Sequence, residues 1–174
     1  VQAPWYWDSK QFARQPYQPY GDGLPSNICN VLACTEKDQV LVGTWSGLAY
    51  SNGISSWHYM RGCDYARKNT GIYGSSGRKT AVPGEGNAKM LSEDFVSSIL
   101  RQGKDIFIGY RTQGVDVLDA ERMTVRQRIR KGLENTDVPS LLALKDGSVW
   151  AATYGKGLVS LKKGSLSYQL DRKQ

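Results

Sequence analysis

The sequence predicts an all-β fold made of three repeated units, each with four antiparallel strands. The 174-residue chain holds 10 Tyr, 5 Trp and 19 Gly against 3 Phe and 1 His, a composition typical of sheets joined by many tight turns. Three stretches also superimpose on one another, 24–50, 91–118 and 133–161. Such a self-similar period indicates a repeat architecture.

Each repeat contains the same succession of short strands. The first strand is apolar, and the alignment puts Ile28, Val96 and Val138 in equivalent positions. A polar turn leads to a second strand with the sequence V-L-V-G-T, I-F-I-G-Y or V-W-A-A-T. The third strand begins at a glycine in every repeat, which predicts a positive φ or a close backbone approach there. A fourth strand is expected in each: 56–60, 124–130 and 165–170.

Four antiparallel strands per repeat form the blade of a β-propeller. Val96 and Val138 are 42 residues apart, which fits such a blade, whereas Ile28 and Val96 are 68 apart. We assign the excess to one insertion in the first repeat. The predicted organisation is an N-terminal arm (1–23), a first blade (24–60), a basic Gly-rich insertion (61–90), a second blade (91–132) and a third blade (133–174).

At these residues the chain resembles the two-component-regulator propeller repeat. The match is carried by L-P-S-N-I-C-N-V-L and L-V-G-T-W-S-G-L-A-Y in the first repeat and by D-G-S-V-W-A-A-T-Y-G-K-G-L in the third. The second repeat departs from the pattern at its turn, G-Y-R-T-Q-G-V. The resemblance implies the extracytoplasmic sensor part of a hybrid two-component system, periplasmic or secreted, which in some members recognises oligosaccharides. It implies binding, not chemistry.

Three blades are too few to close a propeller ring, since known rings use about four to eight. Two chains related by a two-fold axis would supply six blades, so we expect self-association or another propeller half. The alternatives are a piece cut from a larger propeller and an open stack. The segment 5–20 looks like an extra outer strand, with a loosely packed arm as the alternative.

One end of the blades is the predicted binding region, which we call the mouth. The turn after each second strand and the connection into each first strand lie at this end. Trp45 and Tyr154 occupy one repeat position, where an exposed ring can stack on a sugar, and Arg111 offers a planar fork to carboxylate or phosphate. Packing of these aromatic rings at the channel rim is the alternative. The predicted ligand-binding residues are Trp45, Tyr110, Arg111, Gln113, Tyr154 and Lys156.

The insertion and the overall charge both favour an anionic ligand. Lys and Arg number 23 against 16 Asp and Glu, a net charge of +7, which also suits a simply solubilising surface. Long loops are usually functional or disordered, and this one is both basic and rich in glycine. Its predicted anion-binding residues are Arg61, Arg67, Lys68, Arg78 and Lys79. Nucleic acid is an unlikely partner because no recognised motif accompanies the charge.

Catalytic signals are weak, so we predict a non-enzymatic recognition module without metal or cofactor. His58 is the single histidine and falls in an outer strand away from the mouth. Glu93 and Asp94 are adjacent, which points their side chains apart, so we interpret them as solvating or capping a loop. The alternatives are a structural protein–protein interaction module and, less favoured, a propeller lyase or glycosidase.

Three further expectations concern the cysteines, an arginine row and the chain ends. The three cysteines lack metal-ligand spacing: Cys29, Cys34 and Cys63. We expect Cys29 and Cys34 to lie on opposite faces of a strand, which disfavours a disulfide between them. We also expect the thiols to be buried, with Cys63 as the one reactive thiol. A row of arginines on the fourth strand of the second repeat predicts a charged, exposed edge: Arg126, Arg128 and Arg130. No window approaches the roughly 18 apolar residues of a membrane span, and a start at Val1 suggests a processed chain or a segment of something larger.

Overall fold

The structure, a computed structural model, describes residues 20–36, 38–51, 57–62, 88–162 and 165–170. These ranges contain thirteen strands and no helix, which confirms the all-β prediction. It follows that no helix in the described ranges is long and apolar enough to span a membrane.

The thirteen strands form three antiparallel sheets in chain order. Sheet I has the order β1-β5-β4-β3-β2, sheet II the order β6-β7-β8-β9 and sheet III the order β10-β11-β12-β13. The strands of sheet I are β1 (Tyr20–Asp22), β2 (Cys29–Cys34), β3 (Val40–Thr44), β4 (Gly47–Ser51) and β5 (Trp57–Met60). Those of sheet II are β6 (Val96–Gln102), β7 (Asp105–Tyr110), β8 (Gln113–Asp119) and β9 (Thr124–Glu134). Those of sheet III are β10 (Ser140–Ala143), β11 (Val149–Thr153), β12 (Gly157–Lys162) and β13 (Ser165–Leu170).

The outer strands agree with the expected ones to different degrees. β13 spans Ser165–Leu170 as expected, whereas β9 continues to Glu134, past the expected end at 130 and past the expected blade boundary after 132. β1 is an added outermost strand of sheet I, since Tyr20 pairs with Met60 and Asp22 with His58. Residues 1–19, the rest of the predicted arm, lie outside the described residues.

The glycine at the first or second position of each third strand has a positive φ. The φ angles are +132° at Gly47, +73° at Gly114 and +66° at Gly157, which confirms the prediction from the repeat. A side chain at Gly47 would also collide with the carbonyl oxygen of Met60. The turn therefore requires glycine for conformation and for space.

The pairing register corrects the predicted alignment of the first repeat by one residue. Cys29 pairs with Thr44 as Val96 pairs with Tyr110, so Cys29, not Ile28, is the equivalent of Val96. A bulge between Cys29 and Val31 inserts one residue into β2. Cys29 pairs with Thr44 and Cys34 pairs with Val40, and these two partners lie on one face of β3 because they are four residues apart. Cys29 and Cys34 therefore share that face, since directly paired residues do.

Two predictions about the cysteines are therefore wrong. Cys29 and Cys34 share a face, and both are exposed free thiols. The reason for their exposure is positional: β2 is an edge strand of the first sheet, and none of the described residues forms a sheet that precedes it. Cys63 lies outside the described residues.

The sheets stack face against face in chain order, with an apolar core in each of the two seams. β2 and β3 contact β6, and β10 contacts β6 and β7. The core between sheets I and II includes Leu41, Leu48, Met60, Ile106, Ile108 and Leu118. The core between sheets II and III includes Phe107, Val115, Val138, Val149, Ala151 and Val159. Burial of both faces of sheet II explains why β7 is apolar at almost every position.

Candidate functional site

Backbone hydrogen bonds join the turns and connections of the mouth. Trp45 N donates to Ile28 O (3.1 Å), Asn135 N to Thr112 O (2.9 Å) and Tyr154 N to Asp137 O (3.0 Å). Each bond links the turn between the second and third strands of a sheet to a connection that enters a first strand. The turns and connections of the three sheets therefore lie at one end of the molecule.

Three side chains form a row across the mouth between sheets I and II. The ring of Phe95 lies 5.6 Å from the ring of Trp45, and the guanidinium carbon of Arg111 lies 5.7 Å from the centre of the Phe95 ring, so Phe95 links the other two. Trp45 is 51% exposed, and Arg111 is also exposed. Sequence reasoning selected Trp45 and Arg111 but missed Phe95, whose signal was an aromatic residue directly before the buried Val96.

The indole of Trp45 is held in orientation by the bulge residue of β2. Trp45 Nε1 donates to Asn30 Oδ1 (3.0 Å), and Asn30 Nδ2 donates to Val96 O (3.0 Å). The amide of Asn30 thus connects the ring to the backbone of sheet II. The two hydrogen bonds hold the exposed ring in one orientation, and pre-orientation of this kind reduces the ordering cost of binding.

The third turn offers one free ring and one engaged amine. Tyr154 is 71% exposed. Lys156 Nζ donates to Gly132 O (3.0 Å) and Glu134 O (3.3 Å), and the Glu134 carboxylate lies 3.9 Å away. The ammonium group therefore satisfies carbonyl groups at the end of β9.

In the second turn, Gln113 is half-buried, and its backbone N–H donates to the Glu93 carboxylate (3.0 Å).

Tyr110 does not reach the mouth surface, which corrects its predicted role. It is completely buried, and its hydroxyl donates to Asp116 Oδ2 (2.8 Å). Asp116 is also completely buried and accepts from Ser92 N (2.8 Å) and Ser92 Oγ (2.5 Å), with Arg128 Nε 3.9 Å away. Tyr110 faces sheet I because β7 alternates, and its hydroxyl needs a partner there.

Burial perturbs both acids of this cluster. Desolvation raises the pKa of the Asp116 carboxyl, although hydrogen bonds from Ser92 and Tyr110 and the charge of Arg128 oppose the rise. Desolvation, followed by the neighbouring Asp116 charge, raises the pKa of the Tyr110 hydroxyl well above its usual value. Perturbed pKa values often mark catalytic groups, but neither of these side chains has any surface exposed to a substrate. The cluster is a structural element of the seam.

The arginines of β9 do not form the exposed edge that alternation predicted. The Arg128 side chain is only 10% exposed beside Asp116, and Arg130 Nη2 donates to Ser92 Oγ (3.1 Å). Arg126 alone is more than half exposed, and it pairs with Asp105 (2.7 Å). The register shifts along β9 turn Arg128 and Arg130 toward the buried carboxylate and the segment that carries Ser92.

Glu93 and Asp94 are buried caps, in agreement with the capping interpretation. Glu93 Oε2 accepts from Thr112 N (2.7 Å), Thr112 Oγ1 (3.0 Å) and Gln113 N (3.0 Å), which holds the second turn of the mouth. Asp94 Oδ1 accepts from Gly62 N (2.8 Å). These two carboxylates fix backbone geometry at the mouth and point to different segments.

Both ends of the insertion meet at the same point of the mouth. Gly62 and Leu91 form a parallel bridge, and Leu91 N donates to Arg61 O (3.0 Å). Before that point, the returning chain runs along β9, where Val125 N donates to Ala88 O (2.7 Å). Arg61, predicted to bind anions, is instead 6% exposed with its guanidinium carbon 5.1 Å from the centre of the Tyr59 ring. The other predicted anion-binding residues lie outside the described residues: Arg67, Lys68, Arg78 and Lys79.

Comparison with known proteins finds similarity only at the level of structure. No protein-family model matches the chain, and no curated protein matches it. A solved structure of the extracellular domain of BT4673 from B. thetaiotaomicron, described as a one component system, matches with a TM-score of 0.55 and 18% identity over 82% of this chain. Another structure of BT4673, described as a hybrid two component system, has a TM-score of 0.53 and 21% identity over 80% of this chain.

The extracellular domain of BT3049, a hybrid two component system of the same organism, matches with a TM-score of 0.54 and 16% identity over 83% of this chain. At these identities the likeness is one of fold. The chain spans only 16–17% of the length of these neighbours.

Groups typical of metal or general-base chemistry are sparse in the described part of the chain. Those residues contain no cluster of three or more His, Cys, Asp or Glu that could hold a metal ion. His58 lies in β5, with its ring 5.6 Å from that of Tyr50. The exposed chemistry of the mouth is aromatic and cationic, which suits binding.

Proposed function

We propose that the three sheets are blades of a β-propeller and that the chain is a non-catalytic recognition module that binds a small ligand at the mouth. Trp45, Phe95 and Arg111 carry this proposal. The row combines an exposed indole with an exposed guanidinium, and Asn30 orients the indole in advance. Such a surface suits a carbohydrate, in particular one with a carboxylate or phosphate group.

An extracytoplasmic sensor role is the second part of the proposal. The structural neighbours BT4673 and BT3049 are described as extracellular domains of one-component or hybrid two-component systems. The propeller-repeat resemblance of the sequence supports the same class. We therefore infer a periplasmic or secreted location for this chain and a role in presenting a ligand-dependent surface to a signalling partner.

A glycan array probed at low and high salt tests the ligand class. Trp45→Ala should weaken binding of a hit by about tenfold or more, because a central aromatic anchor is lost. Arg111→Ala should weaken binding mainly for acidic glycans, and that effect should shrink at high salt. Arg122→Ala, in the exposed β8–β9 turn, is the control for Arg111, and Trp57→Ala in β5 is the control for Trp45. If both mouth variants bind as the parent chain does, the mouth is not the ligand site.

A structural interaction module is the alternative function, and one observation favours it. Leu32 on sheet I and Leu142 on sheet III are 69% and 59% exposed, each on the face of its sheet that is directed away from sheet II. An apolar sheet face that is left uncovered marks an interaction site or an aggregation hazard. Recognition at the mouth and assembly through these faces can coexist in one molecule.

A further inference from the structure

The bulges at the start of β2 and β6 place equivalent side chains at the mouth. Asn30 is the extra residue of the bulge in β2, and Ser97 is the extra residue of the bulge in β6. Asn30 Nδ2 donates to Val96 O in sheet II (3.0 Å), whereas Ser97 Oγ donates to Asp137 Oδ1 on the connection that enters sheet III (2.7 Å). Each bulge residue thus reaches across one seam, but the second seam offers a carboxylate where the first offers a carbonyl group.

The carboxylate of Asp137 occupies the repeat position that holds an aromatic ring in the first seam. Asp137 directly precedes Val138, as Phe95 directly precedes the equivalent Val96. Asp137 is half-buried, and Ser97 binds one of its two carboxylate oxygens, Oδ1. None of the described residues donates a hydrogen bond to the other oxygen, Oδ2. Asp137 can therefore accept a hydrogen bond from a ligand at the mouth.

Backbone hydrogen bonds hold Arg111 and Asp137 on neighbouring segments. A backbone N–H at each end of 135–138 donates to a carbonyl group at the opposite end of 110–112, and both distances are 2.9 Å. Arg111 lies between the two acceptors, and Asp137 lies between the two donors. The two segments therefore bring a cationic and an acidic residue side by side at the mouth.

Arg111 and Asp137 do not pair with each other, although they are neighbours of opposite charge. The ion pairs of the described residues include neither of them. The guanidinium of Arg111 is exposed and lies against the ring of Phe95, whereas the Asp137 carboxylate is bound by Ser97. Because each charged group is held by a different neighbour, both can meet opposite charges of one ligand without first breaking an ion pair.

We propose that the mouth binds a dipolar ligand, with an anionic group at Arg111 and an ammonium group at Asp137. The inference rests on the ligand site of the proposed function and narrows its ligand class. A ligand with negative charge alone gains at Arg111 but is repelled by the neighbouring carboxylate, whereas a ligand with both charges gains at both positions. A hydroxyl group can also donate to Asp137, but only a positive group offsets that repulsion. Among carbohydrates, this chemistry is that of an amino sugar that also carries an acid group.

Three sugars that share one ring test the charge pattern: glucosamine 6-phosphate, glucose 6-phosphate and glucosamine. Isothermal titration calorimetry slightly below neutral pH, where the amino group is charged, measures the Kd of each. Glucosamine 6-phosphate should bind about tenfold more tightly than glucose 6-phosphate, which lacks the charge-assisted hydrogen bond to Asp137. It should also bind about tenfold more tightly than glucosamine, which has no phosphate group for Arg111.

Three variants assign each preference to a residue. Asp137→Asn keeps the shape of the side chain and removes its charge, so it should abolish the preference for the amino group and improve the affinity for glucose 6-phosphate. Arg111→Ala should abolish the preference for phosphate. Glu121→Gln is the matched control, because it removes an exposed carboxylate from the β8–β9 turn at the opposite end of the blades. Both preferences should be unchanged in that control.

Two results would overturn the inference. The first is that glucose 6-phosphate binds the unmodified chain as tightly as glucosamine 6-phosphate does. The second is that the preference for the amino group persists in Asp137→Asn. The first comparison uses only the unmodified chain, so it holds even where a variant does not fold.

Failure of this inference and failure of the proposed ligand site give different results. If a glycan binds in a manner that depends on Trp45 but shows no preference for an amino group, only the dipolar pattern is wrong. If neither the three sugars nor any glycan on the array requires Trp45, the ligand site itself is wrong and the inference fails with it.

Discussion

Asp116 has its charge entirely inside the seam between sheets I and II, so its ionisation is linked to folding. Burial raises its pKa in the folded protein above the unfolded value. A group of this kind contributes stability that is fully present below the unfolded pKa and is lost as the pH rises through the folded pKa. The hydrogen bonds from Tyr110 and Ser92 limit that loss, because they stabilise the carboxylate.

Tyr110→Phe should destabilise the protein more at neutral pH than in acid. The variant removes a hydrogen bond to a buried carboxylate, which is worth about 1.5–3 kcal/mol when the acceptor is charged. Loss of that bond should also raise the pKa of Asp116 further. Urea unfolding at several pH values and NMR titration of the Asp116 carboxyl carbon measure the two effects. Tyr154→Phe is the control, since its ring is exposed; an equal loss of stability at all pH values for Tyr110→Phe would contradict the linkage.

The close approach of neighbouring sheets makes Gly43 and Gly109 the most sensitive positions at the scale of the strand. Neither has a positive φ among the backbone angles of the described residues, so the requirement for glycine there is steric. A Cβ at Gly109 would meet the backbone oxygen of Val138 at 2.8 Å, whereas a Cβ at Gly43 meets only valine side chains within 3.1 Å. Side chains can adjust more easily than backbone.

Gly109→Ala should therefore cost more stability than Gly43→Ala. Overpacking typically costs about 1–3 kcal/mol, and we expect Gly109→Ala at the upper end of that range and Gly43→Ala at the lower end. Thermal or urea unfolding gives both values. Ala152→Gly, at the equivalent place on the exposed face, should cost only about 0.5–1 kcal/mol. A reversed order for the two glycines would contradict a closer approach of backbone between sheets II and III than between sheets I and II.

The repeat was readable in the sequence because alternation, turn residues and the glycine before each third strand are local signals. β13 and the positive φ of Gly47, Gly114 and Gly157 followed directly from them. The bulge in β2 could not be predicted, because no residue type marks the position at which the pairing shifts. The shift nevertheless puts Cys29 on the face that holds Cys34.

The site was less predictable than the strands, because exposure depends on what packs against each sheet. Trp45 and Arg111 were found from their repeat position in a turn. Tyr110 has an equally suitable residue type and lies one residue before Arg111, but the inward alternation of β7 and the partner Asp116 bury it. Phe95 was missed, because its contact with Trp45 joins two repeats and no single repeat contains it.

The whole molecule carries a net charge of +7, which opposes the self-association that we expect of a chain with three blades. Salt screens such repulsion, since the Debye length falls from about 10 Å at 0.1 M to about 3 Å at 1 M. The dimer dissociation constant should therefore decrease as sodium chloride increases. Sedimentation equilibrium at several salt concentrations measures it, with Leu142→Asp as the control that should stay monomeric throughout. Weaker association at high salt would instead indicate a contact built on opposite charges.

The bridge between Gly62 and Leu91 joins the two ends of the insertion, so the insertion can be replaced by design while the sheets remain. Leu91 N on Arg61 O and Gly62 N on Asp94 Oδ1 fasten the two stems together before and after the stretch. Because closing a longer loop adds little entropic cost once its ends are held, the length and content of the insert can vary while the sheets keep their spacing. This position is therefore a suitable acceptor site for foreign peptides.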